Sequence, residues 1–165
     1  MGKLKVAVIV GSLRRESYSR KLAKELIARA PDSLQFEMIE LGALPIYNQD
    51  LDDDGHPPAA WVSFREAMGK AEAVLFVTPE YNRSVPGLVK NAIDVGSRPY
   101  GKSIWDKKPA AVVSQSPGAI GGFGANHHLR QSLVFLNMPV LQQPEAYIGN
   151  IAKFLGDGSA ALDAK

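Results

Sequence analysis

Three polar stretches of this chain carry hydroxyl, amide and guanidinium groups directly behind apolar runs. Gly11-Ser12-Leu13-Arg14-Arg15-Glu16-Ser17-Tyr18-Ser19 follows Leu4 to Val10, Thr78-Pro79-Glu80-Tyr81-Asn82-Arg83-Ser84-Val85-Pro86-Gly87 follows Ala73 to Val77, and Ser114-Gln115-Ser116-Pro117-Gly118-Ala119-Ile120-Gly121-Gly122 follows Pro109 to Val113. The first has the chemistry of an anion site. Gly11 permits a sharp exit, the hydroxyls of Ser12, Ser17 and Ser19 donate hydrogen bonds, a helix N-terminus adds positive potential, and Arg14 offers a planar fork to phosphate. The same residues read equally well as a Ser17 helix cap with solvated arginines. Leu13 stands where a dinucleotide G-x-G-x-x-G needs its second glycine, which favours a mononucleotide.

In the second stretch, main-chain groups of Pro79, Glu80 and Tyr81 and the amide of Asn82 suit the polar edge of a flat heterocycle, with Tyr81 as an apolar wall. A plain strand-to-helix loop, capped by Ser84 and opened by Pro86, is the competing reading. Ser114, Ser116 and Gly118 belong to a loop that lets backbone approach a ring closely, or to a simple glycine-rich connector. Topology favours the ligand. In a flavodoxin-like strand order of 2-1-3-4-5, the carboxyl ends of strands one, three and four are neighbours at the switch point.

The elements that would place these loops are legible. Leu4 to Val10 is a continuous β-branched run, expected as a central parallel strand. Ser17 to Ala30 has helical spacing, Leu34 to Leu41 alternates like an edge strand, and Gly42 to Pro58 reads as a long mobile loop near the site. Helices are expected over Ala59 to Ala71, Pro86 to Gly96 and Asn126 to Leu136, with strands at Ala73 to Thr78 and Pro109 to Ser114. A fifth strand falls at Met138 to Leu141 or Glu145 to Ile148. The sum is an α/β doubly wound, five-stranded parallel sheet with helices on both faces. Residues 1–150 form one cofactor-binding domain, and 151–165, with Gly156 and Gly158, are expected to be a mobile tail.

Other signals exclude chemistry. Cysteine is absent, so thiolate nucleophiles, disulfides and Cys-ligated metals are ruled out and redox work needs a cofactor. A net charge of +2 arises from scattered basic and acidic residues and gives no stripe for nucleic acid. No apolar stretch reaches membrane-spanning length, and a cytoplasmic protein is expected. Gly96 to Ser103 spells a Walker A motif but follows a helix and runs toward a strand, the reverse of a P-loop. Asp50, Asp52 and Asp54 imitate an EF-hand start, yet Trp61 occupies the bidentate position and Pro57-Pro58 interrupts the loop. His56 and His127-His128 lack metal-site spacing, and no Ser-His-Asp arrangement is readable.

Taken together, these residues resemble the NAD(P)H-dependent FMN reductases of flavodoxin-like fold, in particular the bacterial quinone and chromate reductase branch. The resemblance rests on Gly11-Ser12-Leu13-Arg14 with Ser17, on Thr78 to Gly87 with Lys90-Asn91-Ala92-Ile93-Asp94, and on Gly121-Gly122 with His128-Leu129-Arg130. It implies noncovalent FMN, with Ser12, Arg14, Ser17 and Ser19 around the phosphate. Pro79, Glu80, Tyr81, Asn82 and Ser84 of the signature, and Ser114, Ser116 and Gly118, would then lie beside the ring. NADPH or NADH would donate hydride, and a quinone-like acceptor, an azo compound or chromate would receive electrons in ping-pong turnover. No catalytic side chain is required, because the flavin carries the chemistry. The branch also implies a homodimer or homotetramer in which Arg130 and Glu145 join subunits, with His127 where relatives have Tyr. A flavodoxin-type electron carrier is the alternative.

Overall fold

The computed structural model describes residues 2–155. Strand β1 (Leu4–Val10) is buried from Val6 onward, as a strand covered on both faces must be. Then come α1 (Tyr18–Ala28), β2 (Leu34–Ile39), α2 (Gln49–Asp53), α3 (Ala59–Gly69), β3 (Ala73–Pro79), α4 (Gly87–Gly96), β4 (Ala110–Gln115), α5 (Phe123–Phe135) and β5 (Ala146–Ile148). A short 3-10 turn, Ile151–Lys153, closes the described chain. All strand pairings are parallel and the order is β2-β1-β3-β4-β5, the flavodoxin-like arrangement that the sequence predicts.

The period of two along the strands divides the interior into two layers. Val6, Val8 and Val10 of β1 face α1, where they pack with Leu22, Ala23, Leu75, Val77 and Val113. Ala7 and Ile9 point the other way, into a core with Trp61 and Phe64 of α3, Phe76, Trp105 and Leu129 of α5. Trp105 is fully buried, and its indole Nε1 donates to the Ile93 carbonyl at 3.0 Å. Strand β2 alternates between partly buried and exposed residues, in keeping with its edge position.

Three expectations change. The loop from Gly42 to Pro58 contains α2 and is tied down. Arg65 grips Asp52 with two hydrogen bonds of 2.8 and 2.7 Å, Trp61 Nε1 donates to the Pro45 carbonyl, and Asn91 bonds the backbone at Tyr47 and Pro45. The sequence hides this because Arg65, Trp61 and Asn91 lie on later helices. The first residues of the expected tail pack into the fold: Ile151 and Leu155 are buried in the α1-side layer. The rest of the expected tail, 156–165, lies outside the described residues.

The fifth strand divides between both expected places. Ala146–Ile148 pairs with the end of β4, whereas Val140 makes only an isolated bridge to Ala110 at its beginning. Between these two pairings β4 advances from Ala110 to Val113 while its partner advances from Val140 to Ala146, so the longer segment cannot stay in register, and Pro144 within it has no N–H for a ladder. Among the described residues no helix is long and apolar enough to cross a membrane.

Candidate functional site

The strand registers bring the three polar loops to one rim. Val10 is level with Val77, Thr78 with Ser114, and Pro79 with Gln115. The amide of Gly11 continues the ladder by donating to the Val77 carbonyl at 2.9 Å. There is no room for a side chain at Gly11: a Cβ would lie 2.7 Å from Thr78 Oγ1 and 3.0 Å from Pro79 Cδ. Thus the β1–α1 loop leaves the sheet pressed against the end of β3, at the switch point where open α/β sheets bind ligands.

A cleft of about 160 Å³ opens there, below the roughly 300–1,000 Å³ usual for whole small-molecule sites, so a ligand of mononucleotide size would extend beyond it along the rim. The β1–α1 loop lines it with Ser12, Arg14 and Ser17, the end of β3 with Pro79, Glu80 and Tyr81, and the β4–α5 loop with Ser116. Ser17 caps α1 and also lines the cleft. Its Oγ accepts from Arg20 N at 3.1 Å as the α1 N-cap, and its hydroxyl hydrogen remains free to donate toward the cleft. The neighbouring acid, Glu16, is held below its ordinary pKa chiefly by a hydrogen bond from Lys21, 2.9 Å away. The Arg14 guanidinium makes no hydrogen bond or ion pair among the described residues, which leaves a cation at the cleft with its donors unused.

Other expected site residues have structural engagements. Glu80 Oε2 accepts from Ala125 N at 3.0 Å in the first turn of α5, where negative charge suits the helix dipole. Tyr81 and Ser84 exchange two backbone hydrogen bonds of 3.0 Å, so Asn82 and Arg83 form a tight hairpin with φ of 50° and 64°. Asn tolerates that left-handed geometry, whereas Arg at such a φ costs about 1 kcal/mol. Gly124 lets α5 pass beneath this hairpin, since a Cβ there would sit 2.6 Å from the Arg83 carbonyl oxygen.

Five of the expected residues do not line the cleft. Asn82 forms the hairpin tip, and Ser84 Oγ lies 2.9 Å from His128 Nδ1 on α5. The buried Ser114 hydroxyl donates to the Gly121 carbonyl at 2.9 Å and accepts from Asn126 Nδ2, so it braces the loop instead of facing a ligand. Gly118 N donates to Ser116 Oγ at 3.0 Å, closing a small turn. Ser19 is buried and accepts from Gln115 Nε2 at 2.9 Å. Conversely, Tyr18 lines the cleft although the sequence did not single it out, and Gln115 and Pro117, expected only as part of the Ser114 to Gly118 loop, line it as well. Gln115 carried a readable signal: a polar residue at the end of an apolar strand, one position beyond where the strand seemed to stop.

The expected subunit-contact residues do not act as a set within one chain. Arg130 is engaged internally, its Nε donating to Asn126 Oδ1 and its Nη1 to the Leu141 carbonyl, both at 2.8 Å. His127 packs against Phe123 with ring centroids 4.2 Å apart, and Glu145 accepts from the Tyr147 hydroxyl, which pushes the Tyr147 pKa up. The Walker-like segment lies between α4 and β4, at the opposite end of the strands from the cleft. Its Gly96 is explained by packing, since a Cβ would meet Trp105 Nε1 at 2.6 Å. Asp52 of the EF-hand-like run is committed to Arg65.

The cleft fits a flavin mononucleotide in kind: a free guanidinium and two buried hydroxyls at a helix N-terminus for a phosphate, and proline and tyrosine surfaces for a ring. One of the lining residues, Gln115, also carries a buried polar atom without a partner, Oε1. Fold and cleft together define a doubly wound mononucleotide-binding protein. Sequence comparison gives the family: the chain matches NADPH-dependent FMN reductase over residues 4–153 and belongs to that family. It is 62% identical to a quinone reductase of Pseudomonas putida, over 96% of this chain and 84% of the relative. A 2-hydroxy-1,4-benzoquinone reductase of a Burkholderia species is 46% identical, over 88% and 78%. Among solved structures, the flavoenzyme NAD(P)H:(acceptor) oxidoreductase FerB of Paracoccus denitrificans superposes with a TM-score of 0.83 at 45% identity, covering 88% of this chain and 79% of that one. The protein is therefore an NAD(P)H-dependent oxidoreductase of the FMN reductase family.

Proposed function

We propose that this protein is a quinone reductase in which FMN occupies the cleft at the carboxyl rim, with Ser12, Arg14 and Ser17 at its phosphate and Pro79, Tyr81 and Ser116 beside its ring. The observation that carries the reading is the convergence of a free Arg14 and the buried hydroxyls of Ser12 and Ser17 with the β3 and β4 loops around one cleft. FMN, when bound, supplies two-electron chemistry, taking hydride from NADPH or NADH and reducing the acceptor. The chain binds, orients and limits access. Glu80 fixes the β3 loop to α5, and the strained hairpin at Asn82 and Arg83 holds the rim in one shape. No side chain at the cleft is needed as a proton donor, which suits a site without His or Cys.

Donor and acceptor share one opening in this reading, so turnover is ping-pong and acceptor choice is broad, extending to azo compounds and chromate. The protein works as a homodimer or homotetramer. Exposed Val134 and Phe135 on α5, the latter 90% accessible, offer apolar surface for such a contact. The test is the absorption spectrum of the protein reconstituted with FMN, then anaerobic NADPH titration and steady-state assay with a benzoquinone. Bleaching with sustained NADPH consumption and parallel double-reciprocal lines is expected. Bound FMN without NADPH turnover would make the protein an electron carrier instead.

A further inference from the structure

Gln115 is the last residue of β4 and is 3% exposed. It stands level with Pro79 of β3 and is one of the residues that line the cleft. Its side chain reaches across to α1, where Nε2 donates to the buried Ser19 Oγ at 2.9 Å. That bond fixes the carboxamide. The other end, Oε1, is buried and has no hydrogen-bond partner among the described residues. Buried polar atoms are nearly always paired, and one left over at a ligand site points to a group the ligand brings.

We infer that the Gln115 carbonyl oxygen receives a hydrogen bond from a hydroxyl of the ribityl chain of FMN. This rests on the proposed placement of FMN in the cleft and deepens it. An amide oxygen only accepts, so it is a poor partner for phosphate, which also only accepts when ionised. The flavin ring offers few donors, and it belongs with the β3 and β4 loops. A neutral polyol joins phosphate to ring, and Gln115 touches both sides of that join: it bonds Ser19 at the start of α1, beside the residues assigned to the phosphate, and stands level with Pro79, assigned to the ring. Only a long carboxamide does both tasks, anchoring on α1 with its nitrogen while presenting its oxygen. Ser19, expected at the phosphate, is on this account a positioning residue that acts through Gln115.

The experiment is a titration of apoprotein, followed by flavin fluorescence, with FMN and with its monodeoxy-ribityl analogues, each lacking one hydroxyl but keeping ring and phosphate. For the native protein, one analogue should bind about 2- to 13-fold more weakly than FMN, the value of one neutral hydrogen bond. Gln115→Met should lose about the same factor toward FMN and show no further loss toward that analogue, the signature of a shared contact in a double-mutant cycle. Equal binding of all analogues by the native protein would overturn the inference without any variant, which covers the case of a Gln115→Met protein that does not fold. Undiminished discrimination by a folded Gln115→Met protein would also overturn it. Native protein that binds no FMN would remove the cofactor placement itself, whereas FMN binding without hydroxyl discrimination removes only the role of Gln115.

Discussion

Replacing Arg14 with Ala separates binding from folding more cleanly than any other change at the rim. Its guanidinium has no hydrogen bond or ion pair among the described residues, so its loss should leave apoprotein stability within about 0.5 kcal/mol, as for ordinary surface substitutions. Its effect falls on the ligand. A hydrogen bond to a charged group contributes about 1–3 kcal/mol, which converts to a rise of roughly 5- to 150-fold in the FMN Kd. The lower part of that range applies if Arg14 stays solvated in the complex. The same variant should bind riboflavin, which lacks the phosphate, as the native protein does. Calorimetric titration with both ligands, alongside apoprotein melting, provides the assay. An FMN affinity unchanged by Arg14→Ala would remove Arg14 from the anion site, and an equal loss toward riboflavin would show that the side chain acts on the ring or the loop.

Further outcomes follow from the same contacts. The Arg65 guanidinium holds the Asp52 carboxyl below its usual range by hydrogen bonding, with the pair nearly buried at 14% and 3% side-chain exposure. Because the folded pKa is lowered, its stabilisation is present above the unfolded value and is lost as pH falls through the folded one. Asp52→Asn should therefore cost about 3 kcal/mol at neutral pH and flatten the acid limb of a Tm-against-pH curve; an unchanged acid limb would count against the pair. Gly11→Ala, which drives a Cβ to 2.7 Å from Thr78 Oγ1, should cost about 1–3 kcal/mol in thermal melts. Glu80→Ala removes the acceptor for Ala125 N and should lower Tm by about 2–4 °C, the equivalent of one helix cap. FMN at a hundred times its Kd should raise apoprotein stability by about 2.7 kcal/mol; a flat melting response would contradict a cofactor held by the folded state.

Much of this was legible from local pattern. The runs Leu4 to Val10, Ala73 to Val77 and Pro109 to Val113 could only be covered strands, because β-branched continuity leaves no polar face. Once three such strands alternate with helices, the parallel sheet and its switch point follow. Ser12, Arg14, Ser17, Pro79, Glu80, Tyr81 and Ser116 were within reach because each sits immediately beyond a strand end, where chain position fixes spatial position. The fifth strand was ambiguous because the segment between Val140 and Ala146 is longer than the stretch of β4 it runs beside, which splits one pairing into two.

What the sequence could not determine was the direction and partner of each side chain. Ser114 and Gln115 are adjacent on β4, and the pleat sends one hydroxyl toward α5 and the next carboxamide toward α1. Composition does not say which of the two lines the cleft; the pleat does, and it is Gln115. Likewise, nothing in the sequence pairs Asp52 with Arg65 or aims Glu80 at Ala125 N, 3.0 Å away; the packing of α3 and α5 makes those contacts. Apolar periodicity along the chain decides which elements form and in what order. Pairings between residues far apart in sequence are decided by packing, and those pairings determine which polar groups remain free for a ligand.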